Sequence, residues 1–238
     1  MSHYAVAVFT EQDGCQTYED LLKPYDEDLI VPHYISKEEL ITEVRALSPD
    51  RLNWTDEECY TYGAKYYSLE DIKPDGSVFE RNNPNAKWDW YTVGGRFSDC
   101  VPLIDGGFDN EADMIDVDID YRNEKQYRKA IRFWQLYVEG ETPVTEEDKN
   151  LIKYAFYKKE YYTERYKDAE DYADECSGFT FYAALLPNSE WLEPGKMGWF
   201  GVSSATANDD IRWRLIEKQI LQKAKENNWH ITMVDCHI

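Results

Sequence analysis

Residues 229–238 read "WHITMVDCHI". The run predicts a strand, and it decides the fold when set beside two others. Residues 4–9, "YAVAVF", predict a short buried strand at the start of the chain, and residues 179–186, "FTFYAALL", predict a third. Helical segments fill much of the space between them. That order predicts an α+β fold with a central, mostly antiparallel sheet, helices packed on it and an added tyrosine-rich helical lobe. In a strand, Asp235 and His237 fall on one face and Cys236 on the other. An Asp–His pair can orient an imidazole as a general base or begin a metal site. His33, or Asp26 and Glu27, could complete such a site, but a structural or exposed terminal histidine is the simpler reading of the pattern. No metal-ligand spacing or CxxC pair accompanies it, so no metal or cofactor is expected.

Helix signals are clearest in the first half. Ser36 with Glu39, and Thr55 with Glu58, have capping-box spacing; Leu40, Ile41, Val44 and Leu47 give the first helix one apolar face. A helix is expected from Asn123 to about Val138, and a long helical stretch from Thr145 to about Glu175. The second is dense in tyrosine: Tyr154, Tyr157, Tyr161, Tyr162, Tyr166 and Tyr172. Together they suggest a helical insertion at about 122–176 within a single domain spanning 1–238. Asn208 is the expected cap of a last helix, with Ile211, Leu215, Ile220 and Leu221 inward. "PNSEWLEPGKMGWFGVSS", with Trp191 and Trp199, reads as a loop and a strand.

Charge is the strongest global signal. The chain of 238 residues carries 47 acidic and 26 basic side chains, a net of −21. Nearly all of the excess lies before residue 121. Such a surface repels nucleic acid and anionic membranes and attracts a basic protein groove, although solubility alone would also account for it. "DMIDVDIDY", residues 113–121, alternates. It predicts a half-buried strand whose outer face carries Asp116, Asp118 and Asp120 beside Asp113, an imitation of a phosphate row or a solvated face. The bases Arg122, Lys125, Arg128, Lys129 and Arg132 follow, and neutralisation of that face is the simplest role for them. No apolar run is long enough to span a membrane. Five scattered cysteines suggest reduced thiols in a cytoplasm.

"NPNAKWDWYTVGGRFSDC", residues 83–100, concentrates aromatics beside a Gly-Gly-Arg turn. Trp88, Trp90 and Tyr91 could stack a base, with Asp89 between them. Arg96 could clamp an anion through its forked guanidinium, since Gly94-Gly95 permits close backbone approach. The alternative is a turn whose aromatics fill the core while Arg96 pairs with Asp89. No phosphate loop, H-E-x-x-H or G-x-S-x-G occurs.

Three stretches together, "YAVAVF" with "PYDEDLIVPHY", "NPNAKWDWYTVGGRF", and "GKMGWFG" with "WHITMVDCHI", resemble an uncharacterised family of small proteins encoded largely by bacteriophages and prophages. Phe97 stands where that family usually has Trp, and the tyrosine-rich stretch departs from its pattern. The resemblance implies an accessory protein acting in the cytoplasm of a host bacterial cell, and transfers no catalytic residues. Two functions are then expected from the residues. One is an inhibitor of a host protein, a nucleic-acid-binding or defence factor, gripped by Asp113, Asp116, Asp118 and Asp120 and by Tyr154, Tyr157, Tyr161 and Tyr162. The other is binding or hydrolysis of a nucleotide-like ligand by Trp88, Asp89, Trp90, Tyr91, Arg96, Asp235 and His237. Direct nucleic-acid or membrane binding is not expected.

Overall fold

The computed structural model describes residues 2–153, 155–198 and 201–238. Tyr154 and Trp199 lie outside them. The fold is α+β. The chain divides into two compact units, one running to Lys23 and resuming at Trp88, the other spanning Pro24–Lys87.

β1 (His3–Thr10) is the expected apolar strand, with Tyr4 through Phe9 all buried. α1 (Tyr18–Leu22) follows a Thr17–Asp20 capping box and buries Leu21 and Leu22. In the 24–87 unit, β2 (His33–Ile35) precedes α2 (Lys37–Ala46), α3 (Asp56–Ala64) and β3 (Val78–Glu80). β2 and β3 pair antiparallel. Both helices start at the capping boxes seen in the sequence, and Leu40, Ile41, Val44, Cys59 and Val78 form the core of this unit.

The larger unit continues with β4 (Trp90–Val93), the short β5 (Val101–Pro102) and β6 (Phe108–Asp109), and β7 (Glu111–Asp113). α4 (Glu124–Phe133) is capped by Asn123, whose side chain accepts from the N–H groups of Lys125 and Gln126, and it runs into a π-turn at Trp134–Val138. The stretch from Thr145 is three helices: α5 (Glu146–Lys153), α6 (Lys159–Arg165) and α7 (Ala169–Ser177). One break has a clear cause. Asp168 takes extended backbone and caps α7 by accepting the Asp171 N–H, which ends any helix running through it. Phe133, Trp134, Val138 and Tyr162 form the core of this helical layer. β8 (Ala183–Leu185), β9 (Trp191–Leu192), α8 (Ala207–Glu226) and β10 (His230–His237) complete the chain. The strand expected at 179–186 is shorter, and Phe179 and Phe181 before it are buried in the core.

The sheet order is β4-β10-β1-β8-β9, with β7 also on β10. β1 and β8 run parallel and the other pairs antiparallel. One face of the two central strands, Ala5, Ala7, Phe9, Ile231 and Met233, packs with Trp213, Ile220, Leu221 and Ala224 of α8. The helix enters in a different rotation from the one its aliphatic residues suggest. Ile211 and Leu215 are exposed. Trp213 and Glu217, one turn apart, face inward and hold the backbone of one residue on both sides: the indole Nε1–H donates to the Phe181 carbonyl at 3.2 Å, and Glu217 Oε1 accepts the Phe181 N–H at 2.7 Å. The cap is Thr206, boxed with Asp209, rather than Asn208.

Residues 113–121 correct the acidic-strand expectation. Pairing with β10 stops at Asp113, and the chain turns, with the Asp116 N–H donating to the Asp113 carbonyl, before a single antiparallel bridge joins Val117 to Leu103. Met114 and Val117 are both fully buried. Three residues apart, they would lie on opposite faces of a strand, whereas a turn lets both reach the core. The Asp118 carboxylate accepts the Asp120 N–H at 3.2 Å, the local bonding that makes Asp a turn former. Asp116, Asp118 and Asp120 therefore form no strand face. Nor does Arg122 or Arg132 neutralise them: Arg122 bonds Glu124 at 2.7 Å, and Arg132 bonds Asp148 at 2.9 Å and Glu141 at 2.6 Å.

Candidate functional site

β10 lies between β1 and β4, and its register sets two rungs at one end of the sheet. His3, His237 and Trp90 stand side by side on one rung; Ala5, Asp235 and Thr92 stand on the next. Directly opposed residues share a face, so these side chains project together. The expected sharing of a face by Asp235 and His237 holds, but their partners differ from the expected ones.

Asp235 does not orient His237. His3 Nδ1–H donates to Asp235 Oδ1 at 2.9 Å, while the Arg96 backbone N–H donates to Oδ2 at 2.9 Å. Both carboxylate oxygens are thus satisfied on a residue only 1% exposed, as burial of that charge requires. His237 takes the carboxylate beside Trp90 instead: its Nδ1–H donates to Asp89 Oδ1 at 2.6 Å. The pairing of Arg96 with Asp89 is therefore replaced by two His–Asp pairs. Neither imidazole Nε2 has a hydrogen-bond partner among the described residues. The Trp90 indole stacks on His237, with centroids 4.9 Å apart and planes 19° apart. His3 meets both rings edge-on, at 5.0 Å from His237 and 5.3 Å from Trp90. The His237 imidazole is buried and that of His3 only partly so, at 12% exposed, while Trp90 above them is 45% exposed.

The Gly-Gly-Arg turn is built around Asp235. Gly94 and Gly95 both have positive φ, +70° and +54°. A Cβ on Gly95 would lie 2.5 Å from Asp235 Oδ2, so the missing side chain lets the backbone reach the carboxylate. The anion at this turn is thus the protein's own, and the Arg96 side chain is left exposed beside it.

Trp88 and Tyr91 separate from the site. Trp88 is buried, donates Nε1–H to the Leu22 carbonyl at 3.2 Å and meets Tyr91 edge-on at 4.9 Å. Tyr91 opposes Cys236 and so lies on the other face of the sheet. Burial pushes the Cys236 thiol well above its usual range. At the far end of β10, His230 Nδ1–H donates to Asp113 at 2.8 Å with both side chains partly exposed, an ordinary surface pair.

Of the tyrosines proposed for partner binding, Tyr162 is buried among Phe133, Tyr137 and Tyr172. Tyr161 stacks on Tyr157 at 3.8 Å under the Arg165 guanidinium. Tyr157 and Phe156 remain exposed, at 44% and 86%. Burial raises the Tyr161 and Tyr162 phenols above their ordinary range, as expected of packing groups.

His3 is the site residue that the sequence did not offer. It stands outside every motif, yet a signal was present: antiparallel terminal strands of eight residues each bring the first residue of one beside the last of the other. Among the described residues, no group of three or more His, Cys, Asp or Glu is placed to hold a metal ion, and no helix is long and apolar enough to cross a membrane. No family model, curated protein or solved structure matches this chain.

Proposed function

We propose that the rung of His3, His237 and Trp90 binds a small nucleotide-like ligand. One observation carries this: two imidazole–carboxylate pairs, one on the buried Asp235 and one on the half-exposed Asp89, each leave Nε2 without a partner among the described residues and lie under a half-exposed indole. Burying that many polar groups where an apolar core would suffice costs stability, and such departures concentrate at functional sites. Trp90 offers a flat face on which a base stacks, and the exposed Arg96 offers the cation a phosphate needs. The strongly anionic chain disfavours long polynucleotides and restricts the ligand to a small one. Calorimetric titration with adenosine and guanosine monophosphates tests it. Binding should be lost in Trp90→Ala and weakened about tenfold or more in Arg96→Ala, one charge-assisted contact's worth. Absence of binding to either nucleotide counts against the site.

A second surface favours a protein partner. Phe156 and Tyr157 are exposed apolar groups on a chain of net −21. They support the inhibitor function: a phage-encoded accessory protein occupying a basic host protein, a defence or nucleic-acid-binding factor, in the bacterial cytoplasm. The turn geometry of residues 113–121 moves the weight from an aspartate row to these aromatics. Capture from host lysate at low and high salt discriminates, since contacts between exposed charges are screened and aromatic ones are not. Loss of capture in Phe156→Ser with Tyr157→Ser supports the aromatic surface; retention in that variant removes it.

A further inference from the structure

We infer that His3 and His237 act as a paired acid and base that hydrolyse a small nucleotide phosphodiester. This rests on the ligand site proposed above and gives it a reaction. Each imidazole has its Nδ1–H fixed on a carboxylate, His3 on Asp235 and His237 on Asp89, which sets the ring orientation and leaves Nε2 across the ring to exchange protons. The rings stand 5.0 Å apart on one rung, so a single bound group can meet both. Two such groups suit a reaction in which one oxygen loses a proton while another gains one.

Ester hydrolysis at phosphorus is that reaction. The neutral imidazole takes a proton from water as the water oxygen bonds to phosphorus. The phosphorus–oxygen bond to the alcohol breaks, and the departing oxygen takes a proton from the protonated imidazole. The products are a phosphomonoester and an alcohol, with one water consumed and no change of oxidation state. A diester fits better than a monoester on two counts. Its alkoxide leaving group needs a proton donor, and its single negative charge is less opposed by a chain of net −21 than a monoester dianion. Trp90 would hold the base and Arg96 a phosphate oxygen.

The test incubates the full chain with 2′,3′-cyclic AMP, 3′,5′-cyclic AMP and the dinucleotide ApA, followed by phosphorus NMR, while AMP binding is read from Trp fluorescence. At least one diester should be turned over. His3→Gln and His237→Gln should each lower kcat by about 100-fold or more, the scale of general acid–base catalysis and well beyond any accompanying loss of AMP affinity. The double variant should be little worse than either single one, because the two act as a unit. If His3→Gln fails to fold, Asp89→Asn, at a half-exposed position, takes its place: kcat should fall about tenfold with affinity unchanged, since it only positions His237. AMP binding without turnover of any diester overturns the catalytic pair and leaves the binding site standing. No AMP binding overturns both. Turnover unchanged in His237→Gln also overturns the pair.

Discussion

Two regions of the larger unit use aromatic side chains in opposite ways. In the helical layer, Phe133, Trp134 and Tyr162 are at most 8% exposed; Phe133 meets Tyr162 ring to ring, and all three rings meet Tyr172. Polar groups at its edge are neutralised locally, Arg132 by Asp148 and Glu141. On the β1–β10–β4 rung the order is inverted. The polar groups Asp235 and His237 are buried, while the aromatic Trp90 is 45% exposed above them. Apolar rings buried around themselves are what stability alone selects. Charged groups buried under an exposed ring are not. The helical layer therefore reads as core, and the rung as the place where stability is given up for something else.

That contrast can be broken most forcefully in the helical layer. Phe133→Ala should cost about 3–5 kcal/mol, the usual loss for a buried phenyl ring. Denaturant unfolding measures it, and AMP affinity of the remaining folded protein should stay unchanged. A loss of affinity without loss of stability would place function in the layer instead.

Gly95→Ala probes the rung. The positive φ costs about 1–2 kcal/mol in an L-residue. The Cβ also meets Asp235 Oδ2 at 2.5 Å, so the carboxylate must give up the Arg96 N–H, and His3 loses its fixed orientation. Stability should fall, and the His3 imidazole signals should shift with it. A variant as stable as the parent would contradict the built turn.

Glu217 sharpens the comparison through pH. Burial pushes its carboxyl from 4.5 up to about 8. The folded protein therefore keeps a proton that the unfolded chain releases, and stability declines as pH rises between those two values. Glu217→Gln retains the oxygen that accepts the Phe181 N–H. It should match the parent at acidic pH and exceed it by about 1–3 kcal/mol at pH ~8. Parallel stability curves would contradict this. The smallest effect belongs to Tyr157→Ala, which should change stability by no more than about 0.5 kcal/mol, as expected of an exposed position.

The parts of the fold carried by local chemistry were legible in the sequence. Ser36 with Glu39 and Thr55 with Glu58 cap the helices they announce, and both terminal strands form. What competed with local pattern was not legible. The Asp-Ile-Asp alternation of residues 115–120 lost to turn bonding and to the burial of Met114 and Val117. Ile211 and Leu215 lost the inward face of α8 to Trp213 and Glu217, because those two can satisfy the Phe181 N–H and carbonyl and an aliphatic side chain cannot. At the site, strand periodicity joined Asp235 to His237, but the exchange of partners that gives His3 to Asp235 and Asp89 to His237 arises from register between distant segments. Trp88 and Tyr91 were grouped with Trp90 by adjacency, and the two faces of the sheet part them.

The most direct measurement is imidazole NMR on the nitrogen-15 histidine-labelled protein, titrated with AMP. Long-range proton–nitrogen correlations should show His3 and His237 protonated on Nδ1, with Nε2 shifts that move as AMP is added, while His33, bonded to the Val31 carbonyl within the other unit, stays in place. If His3 and His237 carry their protons on Nε2, or if neither responds to AMP, the rung is a structural feature and the proposed site is wrong.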